Sequence, residues 1–189
     1  MLSFIRRKMR AEDEGVSRIL ETPADYDGYY LFPETSEEAL EINSIISRNL
    51  LNLADIPVFN EIGDDPDAVD WEYFYDQWMD YLKFKGIVFY LDNEVSIDEL
   101  SVGINRILSV TGSDFRIDPE EVSAAYRQVL YDAGVSADFK YDLLEANVIQ
   151  AALKGSGLEL ISLFDGINGH NITIVPEKHL LKLKLMERS

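Results

Sequence analysis

Gly86-Ile87-Val88-Phe89-Tyr90-Leu91, followed after a polar turn by Ser96-Ile97-Asp98-Glu99-Leu100, decides the class of this fold. Five consecutive apolar residues behind a glycine have strand length, and such a run suits a central strand buried on both faces. Ser96 and Glu99 stand three apart, as in a capping box, where hydroxyl and carboxylate each take a free amide at a helix start. That helix carries Ile97, Leu100, Ile104, Ile107 and Leu108 on one side and ends at Gly112. A strand feeding a helix can form one α/β crossover, so mixed strand directions are allowed.

Upstream, Asp65-Pro66 opens a helix that runs to about Lys85, with proline in the first turn and acids near the positive end of the dipole. Thr35-Ser36-Glu37-Glu38 opens another as a capping box. Its apolar side is Leu40, Ile42, Ile45, Ile46, Leu50 and Leu53, and Pro57 stops it or lies just beyond it. Residues 2–20 read as a helix, and 22–34 as a loop with a short extended piece. Downstream, Phe115 to Ile117 reads as a short strand. Asp118-Pro119-Glu120-Glu121 starts a helix that ends at Gly134, and another runs from about Asp138 to Lys154. The period then changes: 158–164, 171–175 and 180–186 read as an antiparallel meander, the last because Leu181, Leu183 and Leu185 alternate with Lys182 and Lys184. The expected fold is α+β, with about five or six helices packed on a small mixed or antiparallel sheet and a C-terminal β-meander. It is expected as a single domain over 1–189, with 60–68 as a candidate lid or boundary loop and a basic segment over 1–10.

Negative charge is distributed very unevenly. Residues 11–80 hold 19 Asp and Glu against Arg18 and Arg48, in a chain of 189 residues with net charge −18. Residues 1–10 hold Arg6, Arg7, Lys8 and Arg10 and no acid. Such asymmetry favours basic partners and disfavours direct nucleic-acid binding, which needs a Lys/Arg footprint. The basic start reads as a helix end pairing with Glu12, Asp13 and Glu14, because so short a segment buries little apolar area in a membrane. Hydrophobic content of 47% is enough for a core. The absence of Cys excludes disulfides, thiolate zinc sites and a Cys nucleophile. No apolar run reaches the roughly 18 residues of a membrane span. A cytoplasmic location is the expectation.

The densest candidate surface is Trp71-Glu72-Tyr73-Phe74-Tyr75-Asp76-Gln77-Trp78-Met79-Asp80. On a helix, Glu72, Asp76 and Asp80 share one side at i, i+4 and i+8, while Trp71, Phe74, Tyr75 and Trp78 share another. Glu61, Asp64, Asp65, Asp67 and Asp70 precede this row. With Tyr73, these residues form an aromatic-edged acidic surface suited to a basic protein partner. Its plainer alternative is a core helix whose acids are solvated, and net charge also serves solubility.

Two weaker candidates stand beside it. Gly28 as the sixth position of a calcium loop would put Asp25, Asp27 and Glu34 at ligand positions, but Pro23 would fall at the first and cannot coordinate through its side chain. Asp165, Asn168 and His170 gather a carboxylate, an amide and an imidazole, and His179 could approach across a hairpin; turn chemistry explains most of that composition without a ligand. No phosphate loop, nucleophile elbow or His-Glu-x-x-His is present. The leading expectation is a non-enzymatic interaction protein of inhibitor, immunity or nucleic-acid-mimic type, with no cofactor. The alternatives are a carboxylate-based hydrolase, with or without a metal, and a small-ligand or regulatory domain.

Overall fold

The computed structural model describes residues 14, 16–17, 27–29, 31, 35–56, 59, 70–92, 94–163 and 169–186. Its elements are β1 (Asp27–Tyr29), α1 (Ser36–Ile46), α2 (Trp71–Lys85), β2 (Phe89–Leu91), α3 (Ile97–Val110), α4 (Pro119–Ala133), α5 (Asp142–Leu153), β3 (Leu158–Leu163), β4 (His170–Pro176) and α6 (Leu180–Met186). Single 3-10 turns lie at Leu53–Asp55 and Glu177–His179. The sheet order is β1-β3-β4-β2. β3 and β4 pair antiparallel from Leu158↔Pro176 to Leu163↔Asn171. β2 joins β4 antiparallel and β1 joins β3 parallel, so the sheet is mixed. The fold is α+β, as the spacing predicts.

Alternation along β3 and β4 divides the core between the two faces of the sheet. Leu160, Ile172 and Ile174 meet α3, α4 and α5 on one face. Ile161, Leu163 and Val175 meet α1, α2 and α6 on the other. Local chemistry sets the helix limits. Ser96 Oγ accepts from the Glu99 amide at 3.3 Å while Glu99 Oε2 accepts from the Ser96 amide at 2.9 Å. Asp118 Oδ1 caps α4 through the amides of Glu120 and Glu121, and Thr35 Oγ1 accepts from the Glu38 amide. Gly86 ends α2 in the left-handed region at φ 74, which costs a residue without Cβ nothing.

Several expectations are corrected. The third strand of the meander is a helix: 180–186 forms α6, where Leu183 is buried but Leu181 and Leu185 are 72% and 79% exposed. Leu180 and Met186 pack with Leu183 on the same core, a helical i, i+3, i+6 spacing that overrides the two-residue alternation. Of the apolar run 87–91 only Phe89–Leu91 is a strand, and among the described strands it lies at the end of the sheet, not in its centre. Its start, Ile87 and Val88, is buried with side chains of α1, α2 and α6, while Phe89 and Leu91 pack on the α3 side. Phe115 to Ile117 is not a strand; the Asn105 amide instead donates to the Ile117 carbonyl and accepts from its N–H, both at 3.0 Å. α1 stops at Ile46, because Arg48 and Asn49 turn left-handed at φ 52 and 61. The Asp65-Pro66 start and the loop 60–68 lie outside the described residues, as does most of the 2–20 helix, of which Glu14, Val16 and Ser17 are helical. The described part of α2 begins at Trp71 with Asp70 as its cap.

Gly103 lets α3 approach β2: a Cβ there would overlap the Phe89 ring. Gly→Ala inside a helix normally gains about 1 kcal/mol. Here the overlap costs about 1–3 kcal/mol as overpacking. Gly103→Ala is therefore expected to lose about 1 kcal/mol net in urea denaturation, and a gain would refute the close approach.

Candidate acidic interaction surface

α2 carries the predicted site, and its buried side fixes what it shows outside. Phe74, Trp78, Met79 and Leu82 are buried. Phe74 stacks on Trp78 with ring centroids 6.0 Å apart, and Trp71 and Tyr75 meet these rings edge-on. Trp78 Nε1 donates to Asn43 Oδ1 at 3.1 Å, and Asn43 Nδ2 donates to the Leu51 carbonyl at 3.0 Å. This buried chain of donors locks the rotation of α2 against α1.

With that rotation fixed, Glu72, Asp76 and Asp80 all point outward and are exposed. Tyr73 is 53% exposed beside them. Asp70 caps the helix, its Oδ1 accepting from the Tyr73 amide at 2.9 Å. The one ion pair of the row among the described residues is Asp80 with Lys83 at 3.9 Å, and Lys83 also lies 5.4 Å from the centre of the Tyr90 ring. Two of the aromatics expected to edge the row, Phe74 and Trp78, are core instead. Trp71 and Tyr75 stay half-buried, Tyr73 is exposed beside the acids, and Phe84 is exposed further along the helix. Glu61, Asp64, Asp65 and Asp67 lie outside the described residues.

The other candidates lie largely outside the described residues. Asp27 to Tyr29 is a short strand paired with Ile161 to Leu163, and Asp25 and Glu34 lie outside the described residues. His170 stands at the start of the seven-residue β4, with its Nδ1 3.4 Å from Ser162 Oγ. His179 lies beyond the far end of β4, roughly 20 Å away by strand length. Burial, then the charges of Lys178, Lys182 and Arg48, push the His179 imidazole below its usual value. Asp165 and Asn168 lie outside the described residues. Among the described residues, no group of three His, Asp or Glu is placed to hold a metal ion, and no helix is long and apolar enough to cross a membrane.

Sequence reasoning missed Glu145, 1% exposed on α5 and set against the phenol of Tyr126. A carboxylate on the apolar side of a helix is its only trace in the sequence. Tyr126 Oη donates to the Phe139 carbonyl at 2.8 Å. Burial, then the charge of Glu145, hold the Tyr126 phenol well above the usual tyrosine value. A folded-state pKa above the unfolded one gives stability that is fully present below about pH 10 and lost as pH rises. Tyr126→Phe should therefore flatten the fall in denaturation free energy between about pH 10 and 12. An unchanged slope would refute the coupling.

Comparison of the chain with family models, with curated proteins and with solved structures finds no match in any of the three.

Proposed function

We propose that this chain is a non-enzymatic interaction protein of the cytoplasm, presenting the outer side of α2 to a basic protein partner. Its mode is that of an inhibitor or immunity protein, or of a nucleic-acid mimic covering a basic groove. The observation that carries the reading is the exposed row Glu72, Asp76 and Asp80 on a helix whose rotation is locked by Trp78 and Asn43. Like charges at i, i+4 repel by about 0.2–0.5 kcal/mol per pair. Within the described residues, Glu72 and Asp76 have no cation to relieve them. A rigid row with two of its three acids unneutralised steers a basic partner, and Tyr73 supplies contact area.

Affinity capture from the source cell, read by mass spectrometry, tests it. A basic protein should be retained by the native chain, released by moderate salt and lost when Glu72, Asp76 and Asp80 are changed to Lys. Identical retention by both baits would end the proposal.

A second reading, a small-ligand domain, is favoured by a groove of about 740 Å³ between α4 and α5, walled by Val122, Ala125, Val129, Leu144 and Val148. Anilinonaphthalene sulfonate should then bind the native chain and raise its Tm, and filling the groove with Ala151→Trp should abolish both effects.

A further inference from the structure

We propose that the outer edge of β2 receives an extended peptide segment of a partner protein, lying antiparallel to β2 with its C-terminal carboxylate at Lys83 and Arg106. β2 is last in the sheet order, and among the described residues no strand pairs with its outer side. Phe89, Tyr90 and Leu91 make no backbone hydrogen bond there. An edge of unpaired amides and carbonyls is a template for strand addition.

Beside that edge runs a groove in two adjoining parts, of about 270 and 510 Å³, both walled by Phe89, Gly103 and Arg106. Gly103 makes the groove possible. Lacking a Cβ, it lets the Phe89 ring lie on the α3 backbone and form the floor. Val102, 64% exposed, adds an apolar wall from α3, and Tyr90 adds a second from the strand. Side chains of an added strand alternate, so every second one would meet these walls.

Charge gives the groove a direction. Lys83 and Arg106 line the part beside the start of β2. Asp98 and Glu99 line the part beside the start of α3. Arg106 is exposed and lies against Gly86; among the described residues it has no ion pair and no hydrogen bond. In a chain of net charge −18, an unneutralised guanidinium at the end of an apolar groove marks a place for a carboxylate. A peptide antiparallel to β2 ends at the start of β2, where both cations stand. Its N-terminal part then runs toward Asp98 and Glu99, which favour a cationic residue. This site meets the acidic row of α2 only at the Asp80–Lys83 pair, so variants of Glu72 and Asp76 on one side and of Arg106 and Val102 on the other let the two proposals fail independently.

The test is a hexapeptide library displayed with free C-termini and panned against the full chain. Enriched peptides are then measured by fluorescence anisotropy. They should lose at least about tenfold in affinity on C-terminal amidation and on Arg106→Glu, the cost of removing one charge-assisted contact. Val102→Arg should weaken them similarly, and reversal of Glu72 and Asp76, with Asp80 kept as the partner of Lys83, should leave them unchanged. Both groove positions are exposed, and thermal melts of the variants check that they fold. The proposal is overturned if nothing enriches above a Val102→Arg control, or if amide and Arg106→Glu bind as well as the parent pair. It is equally overturned if the chain sediments as a dimer that Val102→Arg splits, because a second copy then fills the edge.

Discussion

Trp78→Ala is expected to cost about 3–5 kcal/mol, the range for emptying a buried aromatic site. Trp78 is fully buried, stacks on Phe74 and closes the layer that α1 and α2 form over the sheet. Its loss also strands Asn43 Oδ1, a buried acceptor that would then have no donor from α2. An unsatisfied buried acceptor adds about 1–3 kcal/mol. Domains of this size are stable by about 5–15 kcal/mol, so the variant should be partly unfolded at 37 °C. Trp78→Phe separates the two contributions. It keeps most of the ring volume but loses the N–H, and should cost about 1–3 kcal/mol. Urea denaturation followed by far-UV circular dichroism measures both, and Trp71 remains as a fluorescent reporter. A loss below about 1.5 kcal/mol for the alanine variant would mean that α2 is not locked where the geometry puts it. The outward direction of Glu72, Asp76 and Asp80 would then lose its support, so the stability measurement bears directly on the site.

Elements whose chemistry is local were legible in the sequence. Ser96 with Glu99, and Asp118 with Pro119, specify helix starts through atoms within three residues of one another, and both helices begin there. The β3–β4 hairpin followed from two apolar runs around a Gly- and Asn-rich turn. Where burial is decided by distant partners, the reading failed. Ile87 to Leu91 is equally apolar whether strands flank it on both sides or helices cover its start on one face and its end on the other. Leu180 to Met186 fits a strand by alternation and a helix by its Leu180, Leu183 and Met186 spacing. Leu, Lys and Met favour the helix by propensity, and no β-branched residue opposes it. The acidic row was legible because helical spacing alone places Glu72, Asp76 and Asp80 together. The core role of Phe74 and Trp78 depended on Asn43, 35 residues from Trp78, and no local pattern carries that bond. The Glu145 and Tyr126 contact was hidden for the same reason, and so was the open edge of β2.

The association rate with the captured basic partner should fall about 10- to 1,000-fold at low ionic strength when Glu72, Asp76 and Asp80 are changed to Lys. Each reversal changes the local charge by two units on a face that a rigid helix holds in place. Steering acts on encounter, so the loss belongs in kon, with a smaller change in koff. Screening fixes the salt dependence: the Debye length falls from about 10 Å at 0.1 M to about 3 Å at 1 M, so native and reversed chains should converge as salt rises. Tyr73 should behave in the opposite way. An aromatic that anchors a contact acts after encounter, and Tyr73→Ala should raise koff by about tenfold or more with kon nearly unchanged. Net charge alone offers a competing account, and position decides between them. Reversing Glu120, Asp132 and Asp138, exposed residues on and just beyond α4, makes the same change in total charge on the opposite face of the sheet. If that control slows association as much as the α2 reversal does, the field of the whole chain is responsible and the row has no special role. If only the α2 reversal slows it, the partner meets this helix first, because a field screened within about 10 Å distinguishes two faces separated by a sheet and two layers of helices.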